Sequence, residues 1–140
     1  LEYNINNINA LLELIINKNY DAVLGYRKLN ETKIYSLYFV FHKLAIFILT
    51  KLTNILYGSN FKDVCTCYRM IKTPILKNFE IKGEKFEDDF SMINQLAKKT
   101  KNIGQLEIEY NNRSFEEGKK NTWIVGFYAI KRIIFDKFNI

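Results

Sequence analysis

The run Arg113-Ser114-Phe115-Glu116-Glu117-Gly118-Lys119-Lys120 sets three cations and two carboxylates around one glycine, with Tyr110 three residues ahead and Trp123 three residues behind. Such a run can grip an anion, because a guanidinium and two ammonium groups offer charge-assisted donors and a glycine gives the backbone freedom to close. It also fits a solvated charged turn, the commonest fate of a charge run. Asp63, Thr66 and Arg69, interleaved with Cys65 and Cys67, form a second grouping of acid, hydroxyl, thiol and guanidinium. Glu87, Asp88 and Asp89 form a third. Carboxylates at a helix start already have a structural reason in the positive end of the helix dipole. Arg27 is a fourth candidate, since it follows a short apolar strand at the end where open α/β sheets place their ligands.

A loop that reaches a ligand needs a rigid scaffold on both sides. Alternation at Leu106, Ile108 and Tyr110 predicts a strand over 105–110, and the spacing of Trp123, Phe127, Ile130 and Ile134 predicts a helix over 122–137. Upstream, Asn4 can cap a helix with the stripe Ile8, Leu11, Leu12 and Ile15, ending at 17–19. Residues 21–25 follow as a short buried strand and 26–33 as polar loop. A helix followed by a continuous apolar strand implies a parallel α/β unit. The pattern over 35–57 is helical, with Ser36, Lys43, Thr50 and Asn54 on one side and aliphatic or aromatic residues over much of the rest. His42 and Lys43 leave it short of the roughly 18 continuous apolar residues that a spanning helix needs. It fits a core helix packed on the sheet and a helix lying on a membrane equally well. Pro74 opens a short helical turn, 79–83 reads as loop, and 85–90 leads into a helix through Lys99.

With 140 residues, 48% of them hydrophobic, one proline and six glycines, the chain suits a single domain with a sizeable core and no long linker. Its 21 basic and 15 acidic residues give a net charge of +6, which favours anionic partners: phosphorylated substrates, lipid headgroups or nucleic acid. The basic residues are scattered among acids instead of forming one stripe, which argues against nucleic acid. Two cysteines one residue apart, with no second pair, build neither a disulfide framework nor a four-ligand zinc site. They read as small buried residues in a reducing compartment. One histidine inside an apolar run speaks against a hydrolytic triad.

Five blocks stand in one order: Leu1-Glu2-Tyr3-Asn4, 21–27, 63–69, Phe86-Glu87-Asp88-Asp89 and 110–123. Together they resemble the second half of a family-two glycosyltransferase, the family of dolichyl-phosphate mannose synthases and of bacterial relatives that glycosylate lipid phosphates. The resemblance spans essentially the whole chain. It implies an α/β fold, the carboxyl-terminal portion of a GT-A (nucleotide-diphospho-sugar transferase) mixed-sheet domain. Residues 1–140 are then a partial domain, the acceptor-side half, with the nucleotide-binding half and its Asp-x-Asp metal motif expected ahead of Leu1. The chain departs from the family pattern at Asn121, where an aliphatic residue is common, and at Ile46, where asparagine is common.

The activity so implied is inverting transfer of a sugar from a nucleotide-diphosphate donor to a lipid-phosphate or membrane-linked glycan acceptor. It implies a protein peripheral to the cytoplasmic face of a membrane and a divalent metal, Mg or Mn. Breaking the bond to a diphosphate leaves charge that a metal and basic side chains neutralise. An acceptor phosphate is already anionic, so arginines that position it matter more than a base. On the resemblance, Arg27 grips a phosphate, and Asp63, Thr66 and Arg69 form the acceptor block. Glu87 and Asp89 orient a sugar hydroxyl or act as base, which makes Asp63, Glu87 and Asp89 the catalytic candidates. Arg113, Lys119 and Lys120 belong to a loop that closes over the donor diphosphate, and Glu2 is a further metal ligand. The chain by itself is expected to be inactive. The other reading of the same residues is a non-catalytic, basic, amphipathic membrane-binding module built on the 35–57 helix.

Overall fold

The most apolar short segment of the chain becomes the middle of its sheet. In the computed structural model, which describes residues 3–28, 37–80, 86–110 and 123–139, with the side chains at 37–39, 86, 87 and 123 outside the description, Ala22, Val23 and Leu24 are fully buried. The elements run α1 (Asn7–Lys18), β1 (Ala22–Lys28), α2 (Leu37–Tyr57), β2 (Arg69–Ile71), α3 (Thr73–Leu76), α4 (Phe86–Lys99), β3 (Ile103–Glu109) and α5 (Trp123–Phe138). The strand order is β2-β1-β3, with β1 antiparallel to β2 and parallel to β3. The architecture is therefore mixed α/β, with helices around a three-stranded mixed sheet.

Successive residues of a strand point to opposite faces, and that alternation divides the core. Ala22 and Leu24 join Leu49 and Tyr57 of α2, Phe90, Ile93, Leu96 and Ala97 of α4, and Ala129 and Ile133 of α5 in one buried cluster. Val23 points the other way, where α1 covers β1 and β3 and buries Leu11. That face is tight. A Cβ on Gly104 would sit 2.6 Å from the Tyr20 ring, and one on Gly25 would sit 2.7 Å from Ile108 Cδ1. Across the helical layer, Tyr57 Oη donates to the Ile133 carbonyl at 2.8 Å and joins α2 to α5.

Two local differences from the sequence pattern have physical causes. β1 continues to Lys28, so Arg27 lies inside the strand and not past it. The parallel ladder carries on through Arg27 opposite Ile108 and Lys28 opposite Glu109, and backbone pairing overrides the polar side chains. Asn4 does not cap α1. Its Oδ1 accepts from the Asn6 amide at 3.0 Å, a local turn that sets the chain's direction before the helix begins at Asn7.

Candidate functional site at the carboxyl edge of the sheet

Because β1 and β3 are parallel, their carboxyl ends lie side by side and bring Arg27, Lys28, Glu109 and Tyr110 to one edge. Arg27 meets Asp63 there in a two-pronged contact, Nε donating to Oδ2 at 2.6 Å and Nη2 donating to Oδ1 at 2.9 Å. Their side chains are only 6% and 8% exposed. This fork is the geometry by which a guanidinium matches a carboxylate, and lysine cannot reproduce it. Asp63 Oδ1 also accepts from the Cys65 amide at 2.9 Å, so the same carboxylate shapes its own loop. Burial alone would lower the pKa of Arg27. The hydrogen bonds and charge of Asp63, with a smaller contribution from Tyr3, more than reverse that and hold it above its ordinary value.

An aromatic wall encloses the pair. The Tyr3 ring stacks on Tyr68 with centroids 4.6 Å apart and meets the Tyr110 ring at 5.1 Å, while the Arg27 guanidinium lies 5.1 Å from the Tyr110 centroid. An isolated antiparallel bridge joins Tyr3 to Tyr110. Tyr3 Oη accepts from the Cys67 amide, and Tyr68 Oη donates to the Asn4 carbonyl. Burial pushes the Tyr3 hydroxyl up to about 12, although the Arg27 charge pulls it down.

A second arginine fixes the other end of the 63–69 loop. Arg69 Nε donates to the Thr66 carbonyl at 2.9 Å, and Nη1 donates to the Asp89 carbonyl at 2.9 Å and to Asp89 Oδ1 at 3.3 Å. Its side chain is 7% exposed, against 47% for Asp89. Thr66 is fully buried and accepts from the Tyr68 amide. Between the two pairs sits the Cys65 thiol, which burial and then the Asp63 charge push up to about 12.

Of the residues singled out in the sequence, Arg27 and Asp63 come together at one end of this loop, and Thr66, Arg69 and Asp89 at the other. Each arginine already has a carboxylate partner. A phosphate at Arg27 must therefore share the guanidinium with Asp63, and Thr66 is fully buried. Cys67 is exposed and Cys65 half-buried, which corrects the reading of both cysteines as buried; at Cys67 the amide is the part turned toward Tyr3. Glu2, Arg113, Lys119 and Lys120, and with them the whole 113–120 run, lie outside the described residues, as does the side chain of Glu87. Tyr3 and Tyr68 carried no assigned role in the sequence reading. Nothing in one dimension links two tyrosines so far apart; the signals that pointed to this edge were Arg27 after its apolar strand and the alternation ending at Tyr110.

Among the described residues no group of three or more His, Cys, Asp and Glu side chains is arranged to hold a metal, so they do not fit a resident metal centre. No family model, no curated protein and no solved structure matches this chain.

Proposed function

We propose that the chain is the acceptor-side part of a GT-A glycosyltransferase that moves a sugar from a nucleotide-diphosphate donor to a lipid-phosphate or membrane-linked glycan acceptor, working peripherally at the cytoplasmic face of a membrane. The observation that carries the reading is the buried Arg27–Asp63 fork at the carboxyl edge of a parallel strand pair, walled by Tyr3 and Tyr110. Open α/β sheets bind ligands at that edge. Asp63 takes up Nε and Nη2, which leaves Nη1 of Arg27 outside the fork to meet an acceptor phosphate. Asp63 orients the guanidinium, and the tyrosines shield the contact from water. In this reading Asp89, half-exposed and anchored by Arg69, is the described carboxylate positioned to meet a sugar hydroxyl. On the same reading the donor diphosphate and its divalent metal are held by a part of the enzyme other than these residues.

The test is sugar transfer to a short polyprenyl phosphate, with Mg or Mn and UDP- or GDP-sugars, by the longest reading frame that contains this chain and by the 140-residue chain alone. Transfer by the longer protein, lost on Asp89→Asn with the fold intact, is expected, and none by the chain alone. Absence of transfer by the folded longer protein with every donor would overturn the proposal. The second reading, a non-catalytic basic membrane-binding module, is favoured by the outward apolar face of α2 and predicts that same negative result.

A further inference from the structure

Helix α2 is apolar on two sides: Leu49 and Tyr57 pack into the core, and a second apolar face points outward. At 100° per residue, Val40, Phe41, Leu44, Phe47, Ile48 and Ile55 fall within one arc of about 120°, which among the described side chains they share only with Lys51. All six are exposed, Ile55 by 79% and Phe41 by 62%. Three uncharged polar side chains point inward beside Leu49 and Tyr57: Thr53 donates to the Leu49 carbonyl, Thr50 accepts from the Val64 amide, and Asn54 binds both backbone groups of Phe61. A helix that faces water carries the opposite pattern. α5, packed beside it, repeats the feature with Ile124, Phe127, Tyr128, Phe135 and Phe138 exposed on one stripe that holds only Lys131.

We propose that α2 and α5 form the surface by which this protein docks on an anionic bilayer. The charges choose the occupant. These helices carry Lys43, Lys51, Lys131, Arg132 and Lys137, and their one acid, Asp136, is tied to Arg132 at 2.8 Å. The lysine of each stripe lies over a phenylalanine ring four residues away, Lys51 over Phe47 at 5.6 Å and Lys131 over Phe135 at 5.2 Å. A lysine whose stem runs along an apolar stripe can extend its ammonium to a headgroup layer. A second copy would set these lysines against one another, whereas anionic lipid neutralises them. By length and composition Val40–Tyr57 is apolar enough to cross a membrane, which corrects the expectation that His42 and Lys43 leave it too short; the packing of Leu49 and Tyr57 into the core and Lys51 in the middle of the outward face fit a helix lying on the bilayer instead. The inference rests on the membrane-peripheral part of the function proposed above and needs none of its chemistry.

Flotation of the 140-residue chain with vesicles of phosphatidylcholine, alone or mixed with phosphatidylglycerol, tests it. Binding to the mixed vesicles, weakened by salt, is expected. Phe41→Ser with Ile48→Ser, at exposed positions that cost the fold little, should lower partitioning by more than about tenfold. Lys51→Glu with Lys131→Glu should lower it by at least about fivefold per position on mixed vesicles alone. Equal retention on both vesicle types, or none with the fold intact by circular dichroism, overturns the proposal. A dimer without lipid that Phe41→Ser with Ile48→Ser dissociates also overturns it and assigns the face to a second copy. These vesicles contain neither sugar donor nor polyprenyl phosphate, so a failed transferase assay leaves this result standing. A failed flotation, in turn, leaves transfer to a soluble acceptor standing.

Discussion

Asp63→Asn removes one charge from the fork and changes almost nothing in volume. In the native chain the carboxylate accepts from Arg27 Nε and Nη2, more weakly from the Arg27 amide, and from the Cys65 amide. The asparagine keeps one acceptor and turns two donor hydrogens toward a guanidinium that is 6% exposed. Arg27 does not shed its proton, so the variant buries an uncompensated cation. Breaking such a pair by removing one partner costs about 3–5 kcal/mol. At about 3–5 °C per kcal/mol for a chain of this size, Tm falls by about 10–20 °C. Arg27→Met strands the carboxylate and costs a similar amount. The double variant leaves no unpaired charge and should return to within about 1–2 kcal/mol of the parent. Urea and thermal unfolding followed by circular dichroism complete the cycle. A single-variant cost below about 1 kcal/mol, as for an exposed pair, or strict additivity in the double variant would refute the argument that this fork holds the sheet edge.

Alkaline pH should weaken this edge, alongside the core, where burial raises Tyr57 as well. Burial raises Cys65 from 9.0 and Tyr3 from 10.0, each to about 12. The neutral forms are thus the ones favoured by folding, and their stabilisation is complete below the ordinary values and lost as pH climbs toward about 12. Tyr3→Phe with Cys65→Ala should flatten that limb of a urea-midpoint profile, and an unchanged slope would count against burial as the cause. Among the glycines, Gly104→Ala should cost about 1–3 kcal/mol, since the Tyr20 ring must move, whereas Gly126→Ala should add about 0.5–1 kcal/mol. The site in α5 has nothing within 4 Å of the new methyl, and equal effects at both sites, measured by chemical denaturation, would contradict the packing.

What the sequence reveals follows the range of the forces involved. β1 is legible because Ala22, Val23 and Leu24 can only be buried together, and α4 and α5 are legible because their apolar spacing matches a helix. β2 is not, since Arg69-Met70-Ile71 is too short to show a period and exists because β1 offers it a ladder. The strand end at Lys28 escapes for the same reason: the partner that extends it lies in β3. At the site, Arg27 and Asp63 are each visible as reactive types, but their pairing across 36 positions is not. A search for charged side chains finds both members and assigns both to a ligand, although they first satisfy each other.

α2 shows where periodicity stops short in another way. Helical spacing fixes the angle between the stripe of Thr50 and Asn54 and the stripe of Phe41 and Ile48, but not which of them faces the protein. The usual assignment turns the apolar stripe inward because water is taken to lie outside. Here the amides and carbonyls of the 61–64 segment need partners away from water, and Thr50 and Asn54 supply them. With Thr50 and Asn54 turned inward beside Leu49 and Tyr57, the stripe of Phe41 and Ile48 is left on the surface. Core helix and membrane helix were alternatives only while each face had to choose one role. Packed through Leu49, Thr50, Thr53 and Tyr57, α2 still carries a second apolar face on the surface.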